Sequence, residues 1–312
     1  MCSTCGCSEG DVTITPTHES NHDHDHTHDH QHPHAEHEHE HAHSHNHHHD
    51  EQAASTIIVH HHYYHQGDVH HHIHYHVEGN IHDQPERLTT QPAQPVKRSI
   101  SIEEDVLAKN NHIAAHNREH FAALDLAVLN FVSSPGSGKT TLLCETLKRF
   151  LPLHPCAVIE GDQQTQNDAN RIDKTGAQAI QINTGKGCHL DAQMVHDALH
   201  QLETPEHSYL FIENVGNLVC PASFDLGEKH KVAVLSVTEG EDKPLKYPHM
   251  FAAASLLLIN KIDLLEYVDF DLARCMQYAH QVNPELTIIP VSATTGAGMD
   301  EWLTWLEAQL CA

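Results

Sequence analysis

A glycine-rich turn between an apolar segment and a helical segment restricts the fold of this chain more than any other feature. The turn, residues 133–141, has the sequence SSPGSGKTT and separates a predicted strand from a predicted helix. Small residues allow several backbone N–H groups to converge on one phosphate, and the start of a helix adds partial positive charge. The sequence therefore predicts a P-loop, with nucleotide contacts from Gly136, Ser137, Gly138, Lys139, Thr140 and Thr141.

Two side chains of this loop have roles that backbone groups cannot fill. Lys139 is expected to reach the β- and γ-phosphates, and the Thr140 hydroxyl is expected to ligate Mg²⁺. The loop departs from the usual pattern at its first position, where Ser133 replaces glycine. An ordinary strand–helix turn is the alternative interpretation, which the intact Gly-Lys-Thr sequence disfavours.

Strands and helices alternate through the second part of the sequence. Apolar runs predict strands, and segments of helical periodicity fill the intervals between them. This alternation is typical of an α/β fold, here a P-loop NTPase whose mostly parallel sheet is covered by helices on both faces. The predicted strands are 126–133, 156–160, 179–182, 209–212, 232–237, 256–259 and 287–291, and the predicted helices are 139–150, 191–202, 270–282 and 299–310.

The first part of the chain has a different composition. Of 37 His, 26 lie between His18 and His82, and no Lys or Arg occurs before Arg87. Residues 18–50 contain no Leu, Ile, Val or aromatic residue, so they cannot bury enough surface to offset chain entropy. We therefore predict a disordered region, preceded by a short cysteine cluster.

These contrasts divide the sequence into three regions. Ser101, with Glu104 three residues later, fits a capping box and predicts the start of the first helix. We place a Cys-rich metal-binding motif at 1–11, a disordered His-rich region with a linker at 12–98, and a folded P-loop domain at 99–312.

Charge and hydropathy exclude several classes of protein. A net charge of −26 argues against binding to nucleic acid or to an anionic membrane, both of which require Lys and Arg. The longest apolar run, 250–259, is too short to span a bilayer. The first residues resemble no secretory signal, and the nine irregularly spaced Cys indicate reduced thiols, so we predict a cytoplasmic protein.

A second motif indicates which base the nucleotide carries. Asn260, Lys261 and Asp263 form an N-K-x-D sequence after an apolar strand. A carboxylate there accepts hydrogen bonds from guanine N1–H and the 2-amino group, which adenine does not offer in that arrangement. The Lys261 stem can cover the base, and Ser292-Ala293 can place a backbone N–H at guanine O6. The motif predicts GTP; an uncoupled surface turn is the alternative.

Three further residues at strand ends complete a GTPase site. Glu213 is expected to hold Mg²⁺ or its water shell, a role that an Asp usually has. Gly216 would offer its backbone N–H to the γ-phosphate. Asp162 is expected to orient Mg²⁺ or the attacking water, and a helix N-cap is the equally supported alternative for it.

The N-terminal region offers two sets of metal ligands. Cys2, Cys5 and Cys7 supply three thiolates, which suit Ni, Cu and Zn and are one short of a closed zinc site. The fourth ligand stays open between the α-amino group and a His, and a tail without a metal role is the alternative. The tract from His18 to His82 would bind several Ni²⁺ or Zn²⁺ weakly, as a nickel store or a zinc buffer.

Together these motifs resemble the HypB family, GTPases that deliver nickel to [NiFe]-hydrogenase during its maturation. The resemblance covers residues 1–11 and about 100–312. It rests on independent motifs in the same order: CxxCGC at 2–7, a His-rich tract, the P-loop, EGDQQT at 160–165, GCHLD at 187–191, ENVGNLVCP at 213–221 and NKID at 260–263.

The resemblance has several implications. It implies a dimer-forming G protein of the SIMIBI class, the group that includes the signal-recognition GTPases. It implies a weaker Ni or Zn site at Cys188, His189 and Cys220, which lie in loops at the carboxyl ends of predicted strands. It also implies two partners, the zinc-containing accessory protein HypA and the hydrogenase large subunit that finally accepts nickel.

We therefore expect a GTP-driven nickel metallochaperone. GTP and Mg²⁺ would organise residues 160–165 and 213–221 and favour the homodimer, and hydrolysis would release metal to a partner. Turnover should be slow, because the phosphate loop supplies no arginine finger. Two alternatives stay open: an accessory GTPase for another nickel enzyme, of the urease type, and a nickel or zinc storage protein.

Overall fold

A sheet of eight strands forms the core of the larger of two compact units in the chain. The structure is a computed structural model that describes residues 12–16, 58–59, 73–74, 96–163 and 167–310. The sheet contains β1 (Thr13–Pro16), β4 (Ala127–Ser133), β5 (Cys156–Asp162), β6 (Gln178–Asn183), β7 (Tyr209–Gly216), β8 (His230–Ser236), β9 (Leu256–Asn260) and β10 (Thr287–Pro290). Two further strands, β2 (Ile58–Val59) and β3 (Ile73–His74), form a separate antiparallel pair.

Helices connect most of these strands. They are α1 (Val96–Ala123), α2 (Lys139–Phe150), α3 (Asn167–Asp173), α4 (Ala192–Leu199), α5 (Cys220–Ser223), α6 (Lys243–Lys246), α7 (Pro248–Ala253), α8 (Leu272–Val282) and α9 (Met299–Glu307), with a 3₁₀ segment at Ile262–Tyr267. No helix in the described part of the chain is both long and apolar enough to cross a membrane.

The strand order places the P-loop at the middle of the sheet. The order is β1-β6-β5-β7-β4-β8-β9-β10, and all neighbours are parallel except β1, which is antiparallel to β6. The P-loop leaves the carboxyl end of β4, between β7 and β8. Open α/β sheets bind ligands at this edge, beyond the carboxyl ends of their strands.

Apolar side chains cover both faces of the sheet. All seven residues of β4 are buried, as expected for a parallel strand with helices on either side. Phe131 packs with Trp302 of α9 on one face, and Val128 belongs to the cluster of Phe121 and Val195, from α1 and α4, on the other. The predicted fold class, a P-loop NTPase with a mostly parallel, helix-covered sheet, is confirmed.

The structure differs from the sequence prediction near the start of the chain. Residues 13–16 form the edge strand β1, although they lie within the region 12–98 that we predicted to be disordered. Helix α1 begins at Val96, five residues before the predicted cap at Ser101. Strand β1 is ordered by its pairing with β6, a long-range contact that the local sequence does not encode.

Candidate functional site

The P-loop has the conformation that its glycines allow. Gly136 and Gly138 have φ angles of 77° and 90°, in the left-handed region that other residues rarely adopt. A Cβ atom at Gly138 would lie 2.7 Å from the Asn260 side-chain nitrogen. The same Asn260 Nδ2 donates a hydrogen bond of 3.0 Å to the Ser137 carbonyl oxygen. The guanine motif therefore contacts the phosphate loop directly.

A cavity of about 530 Å³ opens above this loop, a size typical of small-molecule sites. It lies at the carboxyl ends of β4, β5 and β7. Its polar lining contains all the phosphate-loop residues that the sequence predicted, together with Asp162, Glu213, Gly216 and Lys261. Residues that the sequence did not single out also line it: Glu160, Gln163, Asp168, Arg171 and Asn214.

Glu213 is tied to two P-loop side chains. The Thr140 hydroxyl donates a 2.7 Å hydrogen bond to Glu213 Oε1, and Lys139 Nζ lies 3.7 Å from the same oxygen. Burial raises the pKa of the Glu213 carboxyl, and the charge of Lys139 opposes that rise. Lys139, Thr140 and Glu213 therefore meet at one point in the structure.

A second buried carboxyl group lies beside Glu213. Glu160 pairs with Glu213 in the register of β5 and β7. Burial, and then the charge of Glu213, raise the pKa of Glu160 to about 9. One oxygen of each carboxyl group and the Ser137 hydroxyl lack a hydrogen-bond partner among the described residues. A hard divalent cation would satisfy such oxygens and lower both pKa values, so the donor set fits Mg²⁺.

Arg171 is a cavity residue that the sequence did not reveal. Its guanidinium donates a 2.7 Å hydrogen bond to the Thr141 hydroxyl and another of 3.1 Å to Asp168. Both partners line the same cavity. Arg171 lies on α3, a helix of seven residues that was too short to predict. A positive charge beside the phosphate loop thus comes from outside the loop itself.

The guanine motif occupies the ends of two neighbouring strands. Lys261, with a left-handed φ of 63°, donates from Nζ to the Gly136 carbonyl oxygen at 2.7 Å. Beyond the cavity, the Ser292 hydroxyl donates a 2.5 Å hydrogen bond to Asp263. Asn260 Oδ1 accepts from the Ala293 backbone N–H at 3.3 Å. The structure therefore brings all five predicted base-contact residues into one connected group.

Cys188, His189 and Cys220 also come together. The two sulfur atoms are 3.0 Å apart, and Cys188 Sγ is 3.6 Å from His189 Nδ1. All three candidate ligand atoms lie within 4.8 Å of one another. His189 is buried against the Phe224 ring, and burial lowers the pKa of its imidazole. A neutral imidazole and two thiols are a donor set that fits Ni²⁺ or Zn²⁺.

Hydrogen bonds join this cluster to β7, the strand that carries Glu213. Asn217 Nδ2 donates to the Cys188 carbonyl oxygen at 3.2 Å, and Asn214 Oδ1 accepts from Leu190 N–H at 3.0 Å. On the other side, buried Lys231 Nζ donates to the Pro221 carbonyl oxygen at 2.8 Å. The cysteine cluster and the nucleotide cavity therefore share one strand and its following loop.

The remaining predicted ligands cannot be compared with the structure. Cys2, Cys5 and Cys7 lie outside the described residues. So does the tract from His18 to His82, apart from the backbone of the short pair β2 and β3. Their roles stay predictions.

The chain is similar to known proteins in both sequence and fold, and the matching family model lies within its predicted folded domain. Residues 127–290 match the CobW/HypB/UreG nucleotide-binding domain family. Hydrogenase maturation factor HypB of Escherichia coli is 65% identical over 236 residues, which are 75% of this chain and 81% of that protein. Hydrogenase/urease maturation factor HypB of Helicobacter pylori is 42% identical over 214 residues, 67% of this chain and 88% of that one.

A solved structure agrees with these sequence matches. The crystal structure of HypB from Helicobacter pylori in complex with nickel superposes with a TM-score of 0.61 at 41% identity. The alignment covers 65% of this chain and 95% of that one. With this similarity in sequence and fold, the protein belongs to the HypB family of hydrogenase maturation factors, within the CobW/HypB/UreG group of nucleotide-binding proteins.

Proposed function

We propose that this protein is a GTP-hydrolysing nickel metallochaperone that delivers Ni²⁺ to the large subunit of [NiFe]-hydrogenase. One observation carries the proposal: the segment of Cys188 and His189 is hydrogen-bonded, through Cys188 O and Leu190 N–H, to the strand that carries Glu213 and to the loop after it. A metal held there would respond to a change in the nucleotide, because both ligands act on the same segment of backbone.

Different residues of the nucleotide cavity bind the phosphates and the Mg²⁺ ion. The loop N–H groups and Lys139 bind the phosphates, and Gly216 offers its N–H to the γ-phosphate. Thr140, Glu213 and Asp162 would hold Mg²⁺ and its water shell; the ion would neutralise charge that develops on the phosphate oxygens. Turnover is expected to be slow, because no residue of the phosphate loop is an arginine and Arg171, in the cavity lining, is already hydrogen-bonded to Thr141 and Asp168.

The guanine base is recognised by Asp263 and the residues connected to it. Its carboxylate accepts from the base, while Ser292 holds the carboxylate in place through a 2.5 Å hydrogen bond. The Lys261 stem covers the base, and Asn260 ties the motif to the phosphate loop. The Ala293 N–H, which donates to Asn260 Oδ1 over 3.3 Å in the structure, would turn to guanine O6 when the base binds.

The nickel is cargo, held at sites of different strength. Cys2, Cys5 and Cys7 form the tight site, and the Cys188 cluster forms the weaker one, which accepts Ni²⁺ or Zn²⁺. The His-rich tract stores nickel. Release follows hydrolysis, within a homodimer that GTP or metal promotes, to a HypA-type accessory protein and then to the hydrogenase precursor in the cytoplasm.

A test in cells separates this function from its alternatives. In cells that lack the protein, we expect hydrogenase activity to be lost and to return when excess nickel is added. Urease activity is measured in the same cells, since a relative of this chain is named as a hydrogenase/urease maturation factor. Loss of urease activity alone would indicate an accessory GTPase of the urease type.

The storage alternative has its own signature. Complementation with a Lys139→Ala chain should fail if GTP hydrolysis drives delivery, whereas a chain without residues 18–82 should still restore hydrogenase at ordinary nickel levels. The opposite pattern, activation by Lys139→Ala but not by the shortened chain, would contradict the proposal and favour storage.

The link between metal and nucleotide gives a second prediction. Linkage requires that nickel change the affinity for a non-hydrolysable GTP analogue by the factor by which the analogue changes nickel affinity. We expect Ni²⁺ to change that affinity by about fivefold or more in the native chain. Replacing both Cys188 and Cys220 by alanine should remove the effect. The nucleotide is titrated with and without Ni²⁺, so metal bound elsewhere does not obscure the result.

Cys144→Ala is the matched control, because it removes a thiol from the buried core near the same cavity. It should leave the nickel effect intact. An affinity for the analogue that is the same with and without Ni²⁺ in the native chain would remove the coupling from the proposed mechanism.

A further inference from the structure

Four histidines gather where α1 packs against α4, away from the cysteine cluster. His116 and His120 lie four residues apart on α1, and His196 and His200 lie four apart on α4 and its C-cap. This spacing puts both members of each pair on one face of their helix. The His196 ring lies 4.7 Å from that of His200 and 5.4 Å from that of His116, between ring centroids.

A buried asparagine fixes the tautomer of His196. Asn117 Nδ2 donates to the carbonyl oxygens of Ala192 and Leu226, at 2.9 and 3.1 Å, so its Oδ1 can only accept. This oxygen lies 3.2 Å from His196 Nδ1, which must therefore carry the hydrogen. The lone pair of neutral His196 is thus on Nε2. Metal-binding histidines are commonly oriented by such a bond from their other nitrogen.

The second nitrogen of His196 accepts a hydrogen bond from another imidazole, a bond that a metal ion would replace. His196 Nε2 lies 3.2 Å from His200 Nε2. Two imidazole nitrogens bound to one tetrahedral Zn²⁺ lie about 3.3 Å apart, given metal–nitrogen bonds of about 2.05 Å. The pair is therefore spaced as two neighbouring ligands of one ion. Burial and the charges of His200 and His116 lower the pKa of His196, which keeps its ring neutral and able to bind.

A third imidazole lies beside His196, and a change of rotamer would be needed to bring its nitrogen to the same ion. His116 is exposed and edge-on to His196, and an exposed side chain changes rotamer within nanoseconds. His120, one turn further along α1, is exposed as well. Water can complete the coordination on this open surface.

We propose that His196 and His200, with His116 from α1, form a binding site for a divalent transition metal, Ni²⁺ or Zn²⁺. We call it the α1–α4 histidine site. Imidazole suits both metals. The site does not depend on GTP hydrolysis or on the Cys188 cluster.

Histidine footprinting tests the site in the full chain. Among histidines, diethyl pyrocarbonate modifies those whose imidazole is neutral and carries no metal, and mass spectrometry of peptides reports the rate for each histidine separately. Metal bound by the N-terminal tract therefore does not mask the result. Free Zn²⁺ or Ni²⁺ is set by a nitrilotriacetate buffer. At a free metal concentration about ten times the dissociation constant of the site, we expect modification of His196 and His200 to slow by about tenfold.

Two comparisons decide the outcome. In a His200→Ala chain, protection of His196 by metal should disappear, because one of its two close ligands is gone. His249, an exposed residue of α7, should react at the same rate with and without metal. The proposal is overturned if His196 and His200 react at unchanged rates while the tract is protected, if His200→Ala leaves the protection of His196 intact, or if His249 is protected equally.

Discussion

Replacing Lys139 by alanine is expected to lower the rate of GTP hydrolysis by about 100- to 1,000-fold, the usual cost of removing one donor to developing negative charge. The variant loses the contact between Nζ and the phosphates. It also removes the positive charge 3.7 Å from Glu213, whose pKa then rises further because Lys139 is the main influence that lowers it. A protonated Glu213 would hold Mg²⁺ poorly, so both effects reduce the rate.

The measurement is phosphate release at saturating GTP and Mg²⁺, with thermal unfolding followed in parallel. Lys148→Ala is the matched control: it lies on the same helix, is 63% exposed and pairs only with Glu145 among the ion pairs described. The control should hydrolyse GTP at the native rate. A Lys139→Ala rate within about twofold of the native rate, in a folded protein, would contradict the assignment of the P-loop as the hydrolytic site.

Replacing Asp263 by asparagine is expected to weaken GTP binding by a factor of about 100 to 10,000. The change removes the charge-assisted hydrogen bond to the 2-amino group, worth about 1.5–3 kcal/mol, and leaves that group facing the donor of the new amide, which costs about 1–3 kcal/mol more. It also predicts a new specificity. Xanthine carries a carbonyl where guanine carries the 2-amino group, and the new amide can donate to that carbonyl while still accepting from N1–H. XTP should therefore bind the variant better than GTP does.

Binding of fluorescent GDP, displaced by GTP, XTP or ATP, measures this change. Glu266→Gln is the control, since Glu266 is exposed in the same 3₁₀ segment. It should leave the order of affinities unchanged. Equal affinity of the native chain for GTP and ATP, or no loss of GTP affinity in Asp263→Asn, would remove Asp263 from the base site.

The parts of the fold that the sequence predicted are those with a local signal. The P-loop is marked by its glycines, and the buried strands β4, β7 and β9 are marked by mostly apolar runs. The observed strands agree with the predicted ones to within a few residues, although β7 continues through Glu213 to Gly216. Residues that follow such strands could be grouped at one edge, because parallel strands end on the same side of a sheet.

The parts that were missed depend on contacts between distant segments. Glu160 was quoted only as part of a motif, and its unusual carboxyl follows from pairing with Glu213 across two strands. Arg171 reaches the phosphate loop from a helix with no detectable periodicity. The sequence shows that His116 is four residues from His120 and that His196 is four from His200. It does not show that α1 packs on α4. Register and helix packing are tertiary properties, and a single sequence does not display them.

The pairing of β1 with β6 sets an upper limit on the distance between Cys7 and the end of β6. Thr13 pairs with Asn183, at the end of β6 from which the chain continues to Cys188. Cys7 precedes Thr13 by six residues, and an extended chain of that length spans about 20 Å. If both cysteine sets bind metal as proposed, exchange between them within one chain would therefore be first-order and independent of protein concentration.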